Sequence, residues 1–215
     1  MPLLLYGMTE AGTSVGQLSP GVRGATVESL AECGLRCFYS MVEEPAADAE
    51  RFRDDALQFH AVLREILDRA AVAPFRFPTL LALEAEVRDF LVHHAAEFVP
   101  DLRRLQGMVQ MELRIPPGPK PAGPQSGKEY LEGLAREERR LREHADRAQA
   151  STQEMVVEWR QRRASGGLRC YALIRREQVP EFEQRLRALS PVEGASMIVS
   201  GPWPATEFLH VPNQS

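Results

Sequence analysis

The sequence predicts an α+β fold in two domains, and three observations carry that expectation. Short apolar, β-branched runs are interspersed with long stretches of helical periodicity. A proline-rich stretch, residues 116–127, interrupts both kinds of pattern. Residues 195–209 then end the patterned chain as a strand-like run meeting two prolines that flank a tryptophan. With 215 residues, 44% apolar and 26% charged, the chain can bury one large core or two small ones.

Residues 3–8 are almost continuously apolar and predict a first strand, central in a sheet. Residues 9–24 are polar and glycine-rich, a loop. Residues 25–31 and 35–42 predict two strands joined at Glu32-Cys33-Gly34 by a tight hairpin. A helix is expected over 48–70, where Phe52, Ala56, Phe59, Leu63, Ile66 and Ala70 recur at steps of three and four. Residues 72–79 follow as extended chain, because Pro74 and Pro78 both disfavour helix. A second helix over 83–105 gathers Leu83, Val87, Phe90, His94, Phe98, Leu102 and Leu105 on one side. Pro100 is expected to kink it or end it early. Residues 108–115 alternate and close the first domain, 1–115, as a strand. This order suits a ferredoxin-like variant, a sheet covered on one face by two helices.

Pro116, Pro117, Pro119, Pro121 and Pro124 make residues 116–127 a linker, unable to pair in a central strand or continue a helix. The second domain, 128–215, is a smaller α+β unit that opens on one long helix over 128–163. Leu131, Leu134, Glu138, Leu141, Ala145, Ala148, Thr152, Met155 and Trp159 keep a three-four spacing along it. Glu138 and Thr152 are polar and the alanines add little area, so this helix is expected to pack on its own protein rather than dimerise. Gly166-Gly167 would end it. A strand over 168–175, a helix over 179–189 and a strand over 197–199 complete the domain, the last strand stopping at Ser200-Gly201. Pro202 and Pro204 hold Gly201 and Trp203 extended. Trp203 is expected to close one end of a core, with a docking surface as the alternative, and residues 210–215 to form a frayed tail.

Several chemistries have no residues to carry them. A net charge of −4 gives no bulk reason to expect nucleic acid or membrane. No stretch approaches the roughly 20 apolar residues of a membrane span, and the N-terminal apolar run is too short for a secretion signal. Cys33, Cys37 and Cys170 suit buried thiols in a reducing compartment, so a cytoplasmic protein is expected; Cys33-x3-Cys37 lacks the second pair that zinc needs. Residues 123–128 imitate a phosphate-binding loop. Only three residues separate Gly123 from Gly127 where four are required, and Glu129 occupies the place of the magnesium-binding Ser or Thr. His60, His93, His94, His144 and His210 do not cluster with acids at ligand spacing. No serine or cysteine sits in a nucleophile elbow, and the pairs Glu43-Glu44 and Glu137-Glu138 read as solvated charges. No catalytic, cofactor-binding or metal-binding residue is therefore expected.

Two arginine features remain. Residues 136–147 mix arginines with acids at helical salt-bridge spacing. Arg160, Arg162, Arg163, Arg169, Arg175 and Arg176 have no acid among them, which makes a binder of nucleic acid or another anionic partner the alternative reading. Arg76, between Phe75 and Phe77, is expected to be structural, stacking or pairing internally.

Three landmarks in order resemble one known family. SGPWPATEF at residues 200–208 is similar to the SGPWPPYSF-type C-terminal signature of the gas vesicle protein F/L (GvpF/GvpL) family. Residues 72–79, VAPFRFPT, resemble its VLPMRFGT-type segment, and residues 126–131, SGKEYL, its G-x-x-YL helix opening. Pro78 stands where that pattern has glycine, and Ala205-Thr206-Glu207 replaces Pro-Tyr-Ser. The resemblance implies an N-terminal α+β domain and a non-enzymatic assembly role without a cofactor. It also implies contact with the small hydrophobic shell protein and other accessory proteins of the vesicle, with Arg76, Phe77, Trp203 and Phe208 as structural or partner-contact candidates.

Overall fold

The computed structural model describes residues 1–43, 48–118, 123, 126–164, 166–189 and 197–210. The chain divides into two compact units, Met1–Met108 with Trp203–Ser215, and Val109–Pro202.

The first unit contains β1 (Leu3–Glu10), β2 (Glu28–Glu32), β3 (Leu35–Met41), α1 (Ala49–Leu67), β4 (Ala73–Pro74), β5 (Leu80–Leu81) and α2 (Glu84–Arg104). Its sheet runs β2-β3-β1-β4, with β5 also paired to β1. From Leu3 to Thr9 every residue of β1 is buried, so the strand is covered on both faces. The side chains of β3 show what covers it. Ser40 accepts a hydrogen bond from the hydroxyl of Tyr6, whose ring stacks 5.3 Å from Phe59 of α1. The next residue back, Tyr39, must point the opposite way and donates to Glu84 of α2 at 2.7 Å. One helix therefore lies on each face. This corrects the expectation of two helices on one face; the cause is that β1 and β3 are apolar on both sides and leave neither for water.

Local chemistry sets the joints. Cys33 and Gly34 both take positive φ, 46° and 86°, as a two-residue hairpin turn requires. Asp48 caps α1 by accepting from the Glu50 amide. The loop after β1 is strapped to α1: Glu65 accepts from the Ser19 amide and hydroxyl, and Arg69 donates to the carbonyls of Val15 and Gln17. Helix α2 runs through Pro100. Pro100 and Ala96, whose carbonyl loses its usual donor, are both exposed, so water can solvate that carbonyl.

The second unit is built from β6 (Met108–Ile115), α3 (Gly127–Thr152), β7 (Val156–Ala164), β8 (Gly167–Arg175), α4 (Val179–Arg187) and β9 (Ile198–Trp203). Its sheet runs β7-β8-β6-β9. A β-α-β-β-α-β order with that strand sequence is the ferredoxin-like plan, found here and not in the first unit. Strand β6 opens this unit instead of closing the other, because Val109, Met111, Leu113 and Ile115 are all fully buried in its sheet. The division thus falls near residue 108 rather than 115. Residues 116–127 become a crossover inside the second unit, with 119–122 and 124–125 outside the described residues. The tail from Trp203 groups with the first unit, so 128–215 is not one domain.

The helix expected over 128–163 stops at Thr152, whose hydroxyl bonds back to the Ala148 carbonyl at 2.8 Å. Beyond it Val156, Val157 and Trp159 favour strand, and β7 pairs antiparallel with β8, setting Trp159 opposite Ala172. The four-residue spacing of Met155 and Trp159 satisfies a period of two as well as the helical step, which hid the change. Gly166-Gly167 turns a hairpin instead of capping a helix. Strand β9 also continues through Gly201 and Pro202 to Trp203.

The thiols differ sharply. Burial pushes Cys37 and Cys170 each up to about 12, while Cys33 is exposed in its turn. One thiol per chain is expected to react quickly with a thiol reagent at neutral pH, and three after denaturation. Fast reaction of two or three in the folded protein would contradict this packing.

Candidate partner-binding surface

The first two candidates, Arg76 and Phe77, part company. The Phe77 ring sits 5.1 Å from both Phe52 and Phe59, tying the segment after β4 to α1. Arg76 is exposed, and among the described residues no carboxylate or ring lies against its guanidinium; its carbonyl accepts from the Thr79 hydroxyl at 2.6 Å. The expected internal stacking of Arg76 is not seen. The reason is steric: Phe77 takes the place against α1 and turns its neighbour outward.

Beside Phe77 lies an ion pair between a buried carboxylate and an arginine that stays partly in water. Asp55 is 5% exposed and receives Arg23 through Nε and Nη2, the shortest contact 2.6 Å. The void next to it, lined by Leu4, Val22, Val42, Phe77 and Leu80, measures about 10 Å³. That is room for about one water molecule, so this void admits no substrate. Asp55 lies three residues after Phe52 and four before Phe59, on the apolar stripe. A carboxylate on a stripe is the signal that marks such a pair.

The C-terminal candidates also separate. Trp203 is 40% exposed, whereas Phe208 is fully buried. The indole expected to close a core is thus the outer residue and the phenylalanine the inner one. A small polar clasp holds the tail on α2. Arg104 donates to the Phe208 carbonyl, the His210 amide donates to Asp101 at 2.6 Å, and His210 Nδ1 lies 2.5 Å from the same carboxylate. His210 is therefore anchored rather than frayed; residues 211–215 lie outside the described residues. Asp101, 2% exposed, again sits at stripe spacing with Phe98 and Leu105.

Carboxylates set the acid limit of this arrangement. Burial alone would raise the Asp101 carboxyl, yet His210 and Arg104 together hold it below the ordinary value. Ser19 lowers Glu65, and Arg140 lowers Glu137. A folded-state value below the unfolded one contributes stability that is complete above the unfolded value, about 4, and lost as pH falls through the folded value. Unfolding free energy is expected to hold level near neutrality and to drop below about pH 4. Asp101→Asn should flatten that drop; an unchanged acid profile would argue against the clasp.

The six arginines expected to form an anionic-partner patch are divided by the hairpin. Arg163 reaches Glu138 of α3 at 3.3 Å, whereas Arg160 pairs with Glu158 at 2.6 Å and Arg169 with Glu112 at 3.4 Å. Arg162 lies 6.0 Å over the Tyr171 ring. Alternation along β7 sends Arg163 to one face and Arg160 and Arg162 to the other, and among the described residues at least three of the six are matched by acids. His93 and His94 each bond within their own helix, to the Asp89 carbonyl and to Glu97. No described helix is long and apolar enough to cross a membrane.

The described residues thus form two α+β units, with Phe77 and Phe208 packed inside the first and Trp203 on its surface. The chain belongs to the gas vesicle synthesis protein GvpL/GvpF family, whose sequence profile matches residues 2–210. Its fold is similar to the crystal structure of gas vesicle protein GvpF from Microcystis aeruginosa. That comparison has a TM-score of 0.78 at 16% identity and covers 98% of this chain and 99% of that one. It is likewise similar to GvpF from Anabaena sp. PCC7120, with a TM-score of 0.75 at 15% identity and 99% of each chain covered. No curated protein sequence matches the chain.

Proposed function

We propose that this protein is a non-catalytic accessory factor of gas vesicle assembly. It binds the small hydrophobic shell protein and other accessory proteins during nucleation or growth of the vesicle, and it works in the cytoplasm and on the vesicle itself. The observation that carries this reading is membership of the GvpL/GvpF family across residues 2–210. Supporting it, the landmark residues Phe77 and Phe208 are spent on packing. Two rigid sheets with amphipathic helices suit the handling of a polypeptide prone to aggregate. The anionic-partner alternative draws less support, because Arg160, Arg163 and Arg169 are already matched by acids. The tagged protein is expected to retain the shell protein and the other accessory proteins in a pull-down. Absence of any such partner at every salt concentration would overturn the proposal.

A further inference from the structure

Among the described residues, the first sheet ends on β2 and β4 and the second on β7 and β9. Three of these edges are guarded against further pairing. Strand β2 has five residues with Glu28 and Glu32 at its ends, β4 has two residues, and β9 carries Pro202. Strand β7 differs: it has nine residues, holds neither proline nor lysine, and is irregular only at its start, between Val156 and Glu158. Its pairing with β8 closes at Ala164 opposite Gly167, with two residues between them. So short a connection makes that pair a hydrogen-bonded one, and bonded and non-bonded pairs alternate from there. Arg162, Arg160 and Glu158 therefore turn their main-chain groups toward β8. Arg163, Gln161 and Trp159 turn theirs away from the sheet, and among the described residues no hydrogen bond reaches those outward groups.

We infer that β7 is a self-association edge, through which two copies of this chain pair antiparallel about a two-fold axis and join their second sheets into one. The occupant follows from the charges on the strand. Outward groups exchange bonds only with outward groups, so the two-fold sets odd-numbered residues opposite odd-numbered ones and even opposite even. With Trp159 on the axis, Glu158 of each copy stands opposite Arg160 of the other, and the two indoles meet on the other face. Moving the axis by one residue sets Glu158 against Glu158 or Arg160 against Arg160, so charge selects a single register. Within one chain Glu158 already holds Arg160 at 2.6 Å, and in the dimer the two pairs become one alternating group of four charges. Main-chain hydrogen bonds supply the affinity, as in other strand additions, so the contact does not need a wide apolar face. The inference stands on this edge alone and not on the assembly role.

Sedimentation velocity of the whole protein, from about 5 to about 500 µM, is expected to show a reversible dimer with a Kd on the order of tens of micromolar. Gln161→Pro removes an amide that the chain's own sheet does not use, a change that an edge strand tolerates. It should weaken the dimer at least about tenfold while the monomer melts close to the wild type. Glu158→Arg should weaken it comparably, and adding Arg160→Glu should restore it, because the cross-copy pair is rebuilt with its signs exchanged. If the proline variant melts early, the charge exchange decides. A monomer at every concentration would overturn the inference. So would a dimer indifferent to Glu158→Arg, or a double variant no better than that single one.

Discussion

Phe208→Ala is expected to destabilise the first unit by about 3–5 kcal/mol, whereas Trp203→Ala should cost about 1 kcal/mol or less. The difference comes from place rather than size. Phe208 is fully buried and its removal leaves a cavity that the surrounding packing fills only in part; Trp203 keeps 40% of its surface in water. The phenylalanine is also flanked by the clasp, since Arg104 grips its carbonyl and Asp101 grips His210 two residues on. Emptying the cavity should loosen those bonds and expose the tail to protease. Denaturant titration of the two variants, with limited proteolysis of the C-terminus, checks this. A larger loss for Trp203→Ala than for Phe208→Ala would reverse the assignment of inner and outer residue.

Gly167→Ala is the second large effect, expected at about 3 kcal/mol or more in the second unit. Gly167 opens β8 with φ at +113°, a conformation that side chains rarely adopt. A methyl group there would stand 2.0 Å from the Ile115 carbonyl oxygen, which belongs to the backbone of β6 and cannot swing aside. Relief requires separating two strands of the sheet. Its neighbour supplies the control: a Cβ at Gly166 meets nothing within 4 Å, so Gly166→Ala should cost about 1 kcal/mol or less. Equal stability of the two variants, followed through the fluorescence of Trp159 on the adjacent β7, would contradict this strand contact.

Much of the architecture was legible because it is written in short-range pattern. The steps of Phe52, Phe59, Leu63 and Ile66 announce α1, and the turn at Cys33-Gly34 announces its hairpin. The Trp203–Phe208 signature pointed to the family that the whole-chain comparison supports. Where pattern serves two structures at once, it misled. Met155 and Trp159, four residues apart, fit a helix stripe and an alternating strand alike, and only the pairing of residues 156–164 with β8 decides between them. The partners of Asp55 and Asp101, which are Arg23 and His210, stand far along the chain, so no neighbouring residue reveals either pairing.

The amino-acid order by itself determined most of the helical and extended segments up to Thr152, the Cys33-Gly34 turn, and which family the chain resembles, since these depend on neighbours within a few residues. Tertiary structure alone decided that the ferredoxin-like order belongs to the second unit, that one helix covers each face of the first sheet, and that the tail returns to α2. Each of these is a choice among surfaces equally apolar in sequence, settled by which of them can be kept from water together.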